Sequence, residues 1–208
     1  MPNVSNVKTK FFGAVDALDA DGISTAATIG SATTLTLTGT LASGGSYTSG
    51  DNIGQPITIL SAADDSGITF TIVGTDAVGD ALTEVVTGAS GAPGTATSSG
   101  YFNTVTSITT SASSAGNVSA GVTATGTGTV FAGRTRIRGL QGLSGASAGN
   151  LLFKNTSVTG TTLLTVPTGA TATELIEPYI PDNAVLFDAG AYVNFGSAVA
   201  TVTVFYDG

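Results

Sequence analysis

Short runs in which Thr alternates with aliphatic or aromatic residues recur along the first half of the chain. They occupy residues 33–38, 57–60, 68–73 and 82–86. Thr is β-branched and polar, so it suits a strand that has one face in water. We find no run with the 3.6-residue period of an amphipathic helix. The alternation therefore predicts an all-β fold.

Turn-forming residues separate these runs at Gly44-Gly45, residues 64–67 and residues 76–80. The two Asp-containing segments are typical of hairpin turns, in which an Asp side chain caps its own backbone. Strands spaced by about 8–12 residues with such turns indicate an antiparallel sandwich or barrel. We expect residues 105–110 and 118–122 to be the closing strands of this first set.

The composition changes after residue 123. Residues 123–129 contain no large apolar side chain, which favours a linker or an exposed edge. More aliphatic and aromatic strand candidates follow, at residues 151–153, 163–166, 185–187, 192–195 and 199–206. We therefore expect two antiparallel β-sandwich units. The first is Ig-like over residues 24–126, and the second is jelly-roll-like over residues 127–208.

Residues 1–23 fit neither predicted unit. They contain the apolar pair Phe11-Phe12 in an otherwise polar segment. Two interpretations stay open: an extended arm that docks on a neighbouring molecule, or the first strand of the fold. The segment has no long apolar run, so we expect neither a signal peptide nor a membrane span.

The charge pattern narrows the possible functions. The net charge is −8, and the stretch between Phe11 and Gly133 has nine carboxylates but no Lys, Arg or His. Binding to nucleic acid or to an anionic membrane needs clustered cations, so neither partner is expected. The chain has no Cys and no His, which excludes disulfides and the usual zinc sites. Four of the six basic residues fall in the predicted second unit.

The best candidate for a metal site is a group of five acidic residues, since calcium binds six to eight oxygens and accepts carboxylates from turns. The group comprises Asp64, Asp65, Asp76, Asp80 and Glu84. The spacing lacks the pattern of an EF-hand. The alternative is that these residues cap hairpin turns, and we favour that interpretation, so no metal ligand is predicted.

Three arginines, Arg134, Arg136 and Arg138, alternate and would project from one face of a strand. They form either a basic stripe that meets an acidic partner, such as a neighbouring copy, or the charged rim of an edge strand that blocks aggregation. The following residues 139–145 are rich in Gly but lack the Lys and helix of a phosphate-binding loop. We expect a flexible connection there.

Enzymatic chemistry has little support in this sequence. A hydroxyl nucleophile needs an adjacent base, and the first unit offers only carboxylates. Paired carboxylates could hydrolyse glycosides, but such sites normally have aromatic platforms, and the chain has no Trp. No catalytic or cofactor-binding residue is predicted, and we expect that the protein is not an enzyme.

Several motifs resemble modules of tailed-bacteriophage virion proteins. They are D-S-G-I-T-F-T at residues 65–71, G-T-D at 74–76, L-T-E-V-V-T-G at 82–88 and T-V-T-S-I at 104–108. Residues 151–155, 180–193 and 202–206 are similar to a small β module of phage head and tail accessory proteins. The resemblance covers roughly residues 24–208 and carries no catalytic residues.

The resemblance implies a virion structural protein. We expect a cement or decoration protein on the outer surface of the capsid, which binds the major capsid protein and stabilises the assembled head. A homo-oligomer is expected, and a trimer would match the three-fold positions of a capsid. The alternative is a tail, neck or head-fibre appendage that contacts the host surface. A carbohydrate-binding module would rest on the fold alone.

Overall fold

Antiparallel strands and turns make up the chain. The computed structural model describes residues 6–50, 52–196 and 199–208, and these ranges contain no helix. It follows that no described helix is long and apolar enough to span a membrane. The all-β prediction is confirmed, whereas the Ig-like and jelly-roll-like subtypes stay predictions.

The described residues form nineteen strands, which alternate with turns along the whole length. In chain order they are β1 (Lys8–Phe12), β2 (Asp19–Thr28), β3 (Ala42–Ser43), β4 (Ser46–Thr48), β5 (Ile53–Gly54), β6 (Ile57–Ser61), β7 (Thr69–Thr75), β8 (Ala81–Thr87), β9 (Gly94–Thr97), β10 (Thr104–Thr110), β11 (Asn117–Val122), β12 (Thr125–Phe131), β13 (Thr135–Ser144), β14 (Gly149–Asn155), β15 (Thr162–Thr168), β16 (Leu175–Ile176), β17 (Val185–Phe187), β18 (Ala191–Gly196) and β19 (Val199–Asp207).

The strands belong to two units. The acidic unit comprises Asp16–Gly50 and Gly54–Ala124, and the neutral unit comprises Met1–Val15, Asp51–Ile53 and Thr125–Gly208. All six Lys and Arg residues and six of the fourteen carboxylates lie in the neutral unit. The acidic unit therefore has eight carboxylates and no cation. Four of the six cations lie in residues 127–208, as predicted, and Lys8 and Lys10 bring the other two to the neutral unit.

The acidic unit is a sandwich of two sheets, with strand orders β3-β4-β10-β7-β8 and β2-β11-β6-β9. Its core lies between them and includes the fully buried side chains of Tyr47, Ile59, Phe70, Phe102 and Ile108. In β7, every second residue is buried, as the Thr alternation predicts. The Thr positions of this strand are only partly exposed, because β8 and β10 flank it on both sides.

The neutral unit also has two sheets around one core. One sheet has the order β1-β19-β13-β16, with β17 also paired to β13, and the other has the order β15-β14-β18-β12-β5. Phe12, Phe153, Phe187, Val193 and Val202 are fully buried in this core. Residues 1–23 had two open interpretations, a docking arm or the first strand of the fold. The structure shows the strand: β1 pairs with β19 from Lys8↔Tyr206 to Phe12↔Val202.

The two units divide the chain near residues 15 and 124, whereas the predicted boundaries are at residues 23 and 126. Residues 1–15 belong to the neutral unit, whereas β2, which starts at Asp19, belongs to the acidic unit. The chain therefore leaves and re-enters the acidic unit, and residues 51–53 return briefly to the neutral one. Pairing between strands far apart in the chain decides this division, and no local pattern reports it.

Two Gly-rich segments form strands: residues 123–129 were predicted to be a linker or an exposed edge, and residues 139–145 a flexible connection. Residues 125–131 form β12, which pairs with β18 and is mostly buried. A Cβ at Gly128 would overlap the Phe12 ring, so a glycine here lets a core aromatic pack directly on the backbone. Residues 139–144 belong to β13 and pair with β19, and a Cβ at Gly142 would crowd Val202.

Two predictions in the acidic unit need smaller corrections. Residues 33–38 are not a regular strand and make only the bridge Thr34↔Thr109, although Leu35 and Leu37 do point into the core. Residues 64–67 are not a hairpin turn, because β6 and β7 belong to different sheets. Asp64 does cap its own backbone there, as predicted. A capped turn, however, does not determine which sheet the next strand joins. Residues 76–80 do form the β7–β8 hairpin turn.

Candidate functional site

The five carboxylates proposed as metal ligands do not come together. Asp64 and Asp65 precede β7, and Asp76 and Asp80 follow it. Seven strand residues at about 3.4 Å each separate the two pairs by roughly 20 Å. Within the described ranges, no group of three or more Asp or Glu side chains is placed to hold a metal ion.

Two of these aspartates cap turns, as the alternative interpretation holds. The Asp76 Oδ1 atom accepts the backbone N–H groups of Val78, Gly79 and Asp80 at 2.8–3.0 Å. Asp64 Oδ1 accepts both the backbone N–H and the hydroxyl of Ser66. These bonds from Ser66 hold the pKa of the Asp64 carboxyl below its usual value. The Oδ1 atoms of Asp64 and Asp76 therefore serve to fix the shape of their own turns.

Asp65 and Glu84 fasten loops to the sheets. Asp65 is buried, and its Oδ1 accepts the Ala115 N–H at 2.7 Å. Glu84 accepts the Ser99 N–H at 2.7 Å and the Gly100 N–H at 2.8 Å. Both residues are therefore structural.

A buried polar network in the acidic unit was not predicted. The fully buried Gln55 donates through Nε2 to the carbonyls of Asp16 and Thr123, and its Oε1 accepts the Asp16 N–H and the Ser49 hydroxyl. The Tyr47 hydroxyl donates to Asp16 Oδ2 at 2.8 Å. Burial raises the pKa of the Tyr47 phenol far above its usual value, and the adjacent Asp16 charge adds to this. The network therefore fixes the positions of Asp16, Ser49 and Thr123 around Gln55.

The three arginines lie at one end of the β13 sheet. The edge-strand interpretation is wrong, because β19 flanks β13 on one side and β16 and β17 flank it on the other. Arg138 forms an ion pair with Asp207 at 2.6 Å, whereas Arg134 lies 3.9 Å from Asp188. Burial alternates from Thr135 to Arg138, as predicted, and a bulge between Ile137 and Gly139 ends this alternation.

The outer face of this same sheet has large apolar side chains among Thr and Gln, and its centre carries no charge. Because Val202 and Val204 are buried, the alternate residues of β19 point outward. The register places outward Thr203 beside Phe11 and Gln141, and outward Thr201 beside Leu143. We define the outer face by its central residues, which include no charged side chain: Phe11, Gln141, Leu143, Leu175, Thr201, Thr203 and Phe205.

The large side chains of the outer face are exposed to solvent. The exposed fraction is 46% for Phe11, 37% for Leu143 and 55% for Leu175, and Leu143 pairs directly with Leu175 across two strands. The Phe205 ring lies against Gly139, 3.7 Å from where a Cβ would stand. An apolar patch of this kind on a rigid sheet is typical of a protein-binding surface. The sequence pattern of single aliphatic residues among Thr and Gln gave little sign of it.

Comparison with known protein families, with curated proteins and with solved structures finds no match to this chain. The function is therefore inferred from the residues and their geometry.

Proposed function

We propose that this protein is a structural component of a tailed-phage virion that binds the outer surface of the capsid and stabilises the assembled head. It acts by burying surface against the major capsid protein and makes or breaks no covalent bond. The outer face of the neutral unit is the observation that carries this proposal. It is apolar, rigid and free of charge at its centre, and the motif resemblance to virion proteins supports the same role.

The dimensions of the outer face fit a weak site that is repeated many times. Four residues of about 3.4 Å along β19 and three strand spacings of about 4.8 Å give a face of roughly 14 Å by 14 Å. That is about a quarter of the ~800 Å² that each partner buries in a standard stable interface. On a closed shell, many identical sites act together, so a modest affinity at each one still stabilises the whole particle.

A non-enzymatic role agrees with the state of the polar side chains. The chain contains no His or Cys, and four of the five carboxylates that the sequence singled out accept backbone N–H groups of their own unit. Catalysis by the remaining hydroxyls would require a base within hydrogen-bond distance. These features favour a protein whose function is binding.

The assembly that we propose is a homotrimer at the three-fold positions of the capsid. Cyclic oligomers are common among soluble proteins, and a trimer would match the symmetry of such a position. A trimer would also present three outer faces at once, which raises the effective affinity of each molecule for the shell.

Labelling of purified virions tests the proposed location. An antibody against this protein should decorate the whole head, and a stained gel of the particle should give a copy number comparable to that of the shell protein. A label confined to one vertex, with only a few copies per particle, would contradict the decoration role and favour a neck or tail appendage.

A further inference from the structure

An open cleft of about 640 Å³ lies at one end of the β13 sheet in the neutral unit. The residues that shape it come from the start of β1, the start of β13, β17 and the end of β19. Its cations are Lys8, Arg134 and Arg136, and its apolar wall includes Val7 and Leu186. This cleft is separate from the centre of the outer face.

The guanidinium groups of the cleft retain most of their donors. Arg136 Nη1 donates to the Asn183 carbonyl at 3.0 Å, and Arg134 is two-thirds exposed with Asp188 no closer than 3.9 Å. Asp207 also lines the cleft, but its Oδ2 atom is already held by Arg138 at 2.6 Å. Lys8 Nζ donates to the Gly208 carbonyl at 2.6 Å, so the two arginines provide most of the donors that remain. Arg forks bind carboxylates with two parallel hydrogen bonds.

The distribution of charge along the chain suggests what binds there. The acidic unit has eight carboxylates and no cation, and all cations of the protein lie in the neutral unit. In a solution of this protein, each cleft therefore meets other copies whose acidic units carry the complementary charge. Complementary potentials of this kind steer association and fix its register.

The β7–β8 hairpin tip, residues 76–80, matches the chemistry of the cleft best. Asp80 and Val78 are exposed, and Val78 stands between two aspartates. Asp76 Oδ1 accepts three successive backbone N–H groups, which fixes the shape of the tip before binding. A preformed tip loses little conformational entropy on docking. Most other carboxylates of the acidic unit are buried or bonded to their own loops.

We propose that the cleft at Lys8, Arg134 and Arg136 binds the β7–β8 hairpin tip of a second copy of the chain. Val78 contacts the apolar wall at Val7 and Leu186, and the flanking carboxylates of Asp76 and Asp80 pair with the arginines. Such a contact joins two different surfaces, so it is heterologous and generates a ring or an open filament. This proposal does not depend on capsid binding.

Sedimentation velocity at low salt tests the contact. Wild-type protein should associate as its concentration rises, and the association should weaken in 1 M salt because the screening length falls to about 3 Å. The Arg134→Glu variant should stay monomeric. Lys154→Glu, which makes the same charge change on β14 in the other sheet of the neutral unit, should associate like the wild type.

Mixing two deficient variants provides a sharper test. The tip variant Val78→Ser/Asp80→Asn keeps its cleft, whereas Arg134→Glu keeps its tip. Each should be monomeric alone. In an equimolar mixture, the intact cleft of the tip variant should bind the intact tip of Arg134→Glu. The product should be a dimer that grows no further, because it has no second intact pair of sites. Thermal unfolding of each variant establishes that it is folded.

Three results would overturn the proposal. One is wild-type protein that stays monomeric at every attainable concentration, and another is Arg134→Glu protein that associates as the wild type does. The third is that inorganic phosphate raises the melting temperature of a monomeric wild type but not of Arg134→Glu. That result would make the cleft a site for small anions.

Discussion

Gln55 donates its side-chain amide to the Thr123 carbonyl at 2.7 Å, across 68 positions of the chain. Gln55 follows the point where the chain re-enters the acidic unit, and Thr123 precedes the point where it finally leaves. The same amide reaches Asp16, the first residue of the unit, and its carbonyl accepts from Ser49, near the other exit. The chain passes between the two units at four points, and the buried Gln55 side chain bonds residues of the acidic unit that lie next to these points.

Replacement of Gln55 by Leu should destabilise the acidic unit by about 2–4 kcal/mol, because buried backbone groups of Asp16 and Thr123 lose their partners. Urea unfolding measures the free energy of unfolding. Hydrogen exchange shows which unit is destabilised, because buried amides of the acidic unit, such as that of Ile59, should exchange faster. Gln141→Leu is the matched control. Gln141 is exposed, so its replacement should change stability by less than about 0.5 kcal/mol. Equal effects of the two variants would contradict the role of Gln55.

Replacement of Gly128 by Ala should destabilise the neutral unit by about 1–3 kcal/mol, because the new methyl group would overlap the Phe12 ring. The Gly196→Ala variant serves as control in the same sheet, since nothing lies within 4 Å of a Cβ there. Its stability should stay the same or rise by about 0.5 kcal/mol.

The Phe12→Leu substitution should partly rescue Gly128→Ala, since the smaller side chain makes room for the methyl group. A double-mutant cycle on urea unfolding measures this coupling. Purely additive effects would mean that the glycine does not act through Phe12.

Loss of the Thr40 hydroxyl should make stability less dependent on acid pH. The hydrogen bond from Thr40, followed by that from the Asp21 backbone, holds the pKa of Asp19 below its usual value of 3.8. A carboxyl whose pKa is lower in the folded state stabilises the protein above the unfolded pKa, and this contribution disappears as the pH falls through the folded pKa.

The Thr40→Val variant should therefore be less stable than the wild type at neutral pH, and the difference should shrink as the pH drops below about 4. Urea unfolding at both pH values checks this. Thr25→Val, at an exposed Thr in β2, is the control. Its stability should differ from that of the wild type by the same small amount at both pH values. If Thr40→Val is less stable than the wild type by the same amount at low pH, the Thr40 hydroxyl does not act through the pKa of Asp19.

The sequence predicted best those strands whose buried positions are visible in the pattern of the strand's own residues. In β7, large apolar residues recur among Thr, so the period of two is visible within seven residues. The strands that it missed depend on distant partners. Residues 125–131 look like a linker because their small residues are matched to Phe12, more than 100 positions earlier.

The functional surfaces were harder to predict for the same reason. Asp64 and Asp76 cap turns, which their own neighbouring residues indicate. The outer face, however, combines Phe11, Leu143 and Leu175 from three strands, and only the register of β13 with β16 and of β1 with β19 brings them onto one surface. The arginines alternate as expected, yet the bulge at Arg138 and the pairing with Asp207 required the fold.

The melting temperature of capsids that lack this protein tests the central claim most directly, with purified protein added back. Wild-type protein should bind and raise the melting temperature. Leu143→Glu, which places a charge at the centre of the outer face, should fold normally but leave the capsid unchanged, whereas the exposed Val85→Glu on β8 should act as the wild type does. Capsids that melt at the same temperature with and without wild-type protein would contradict the account.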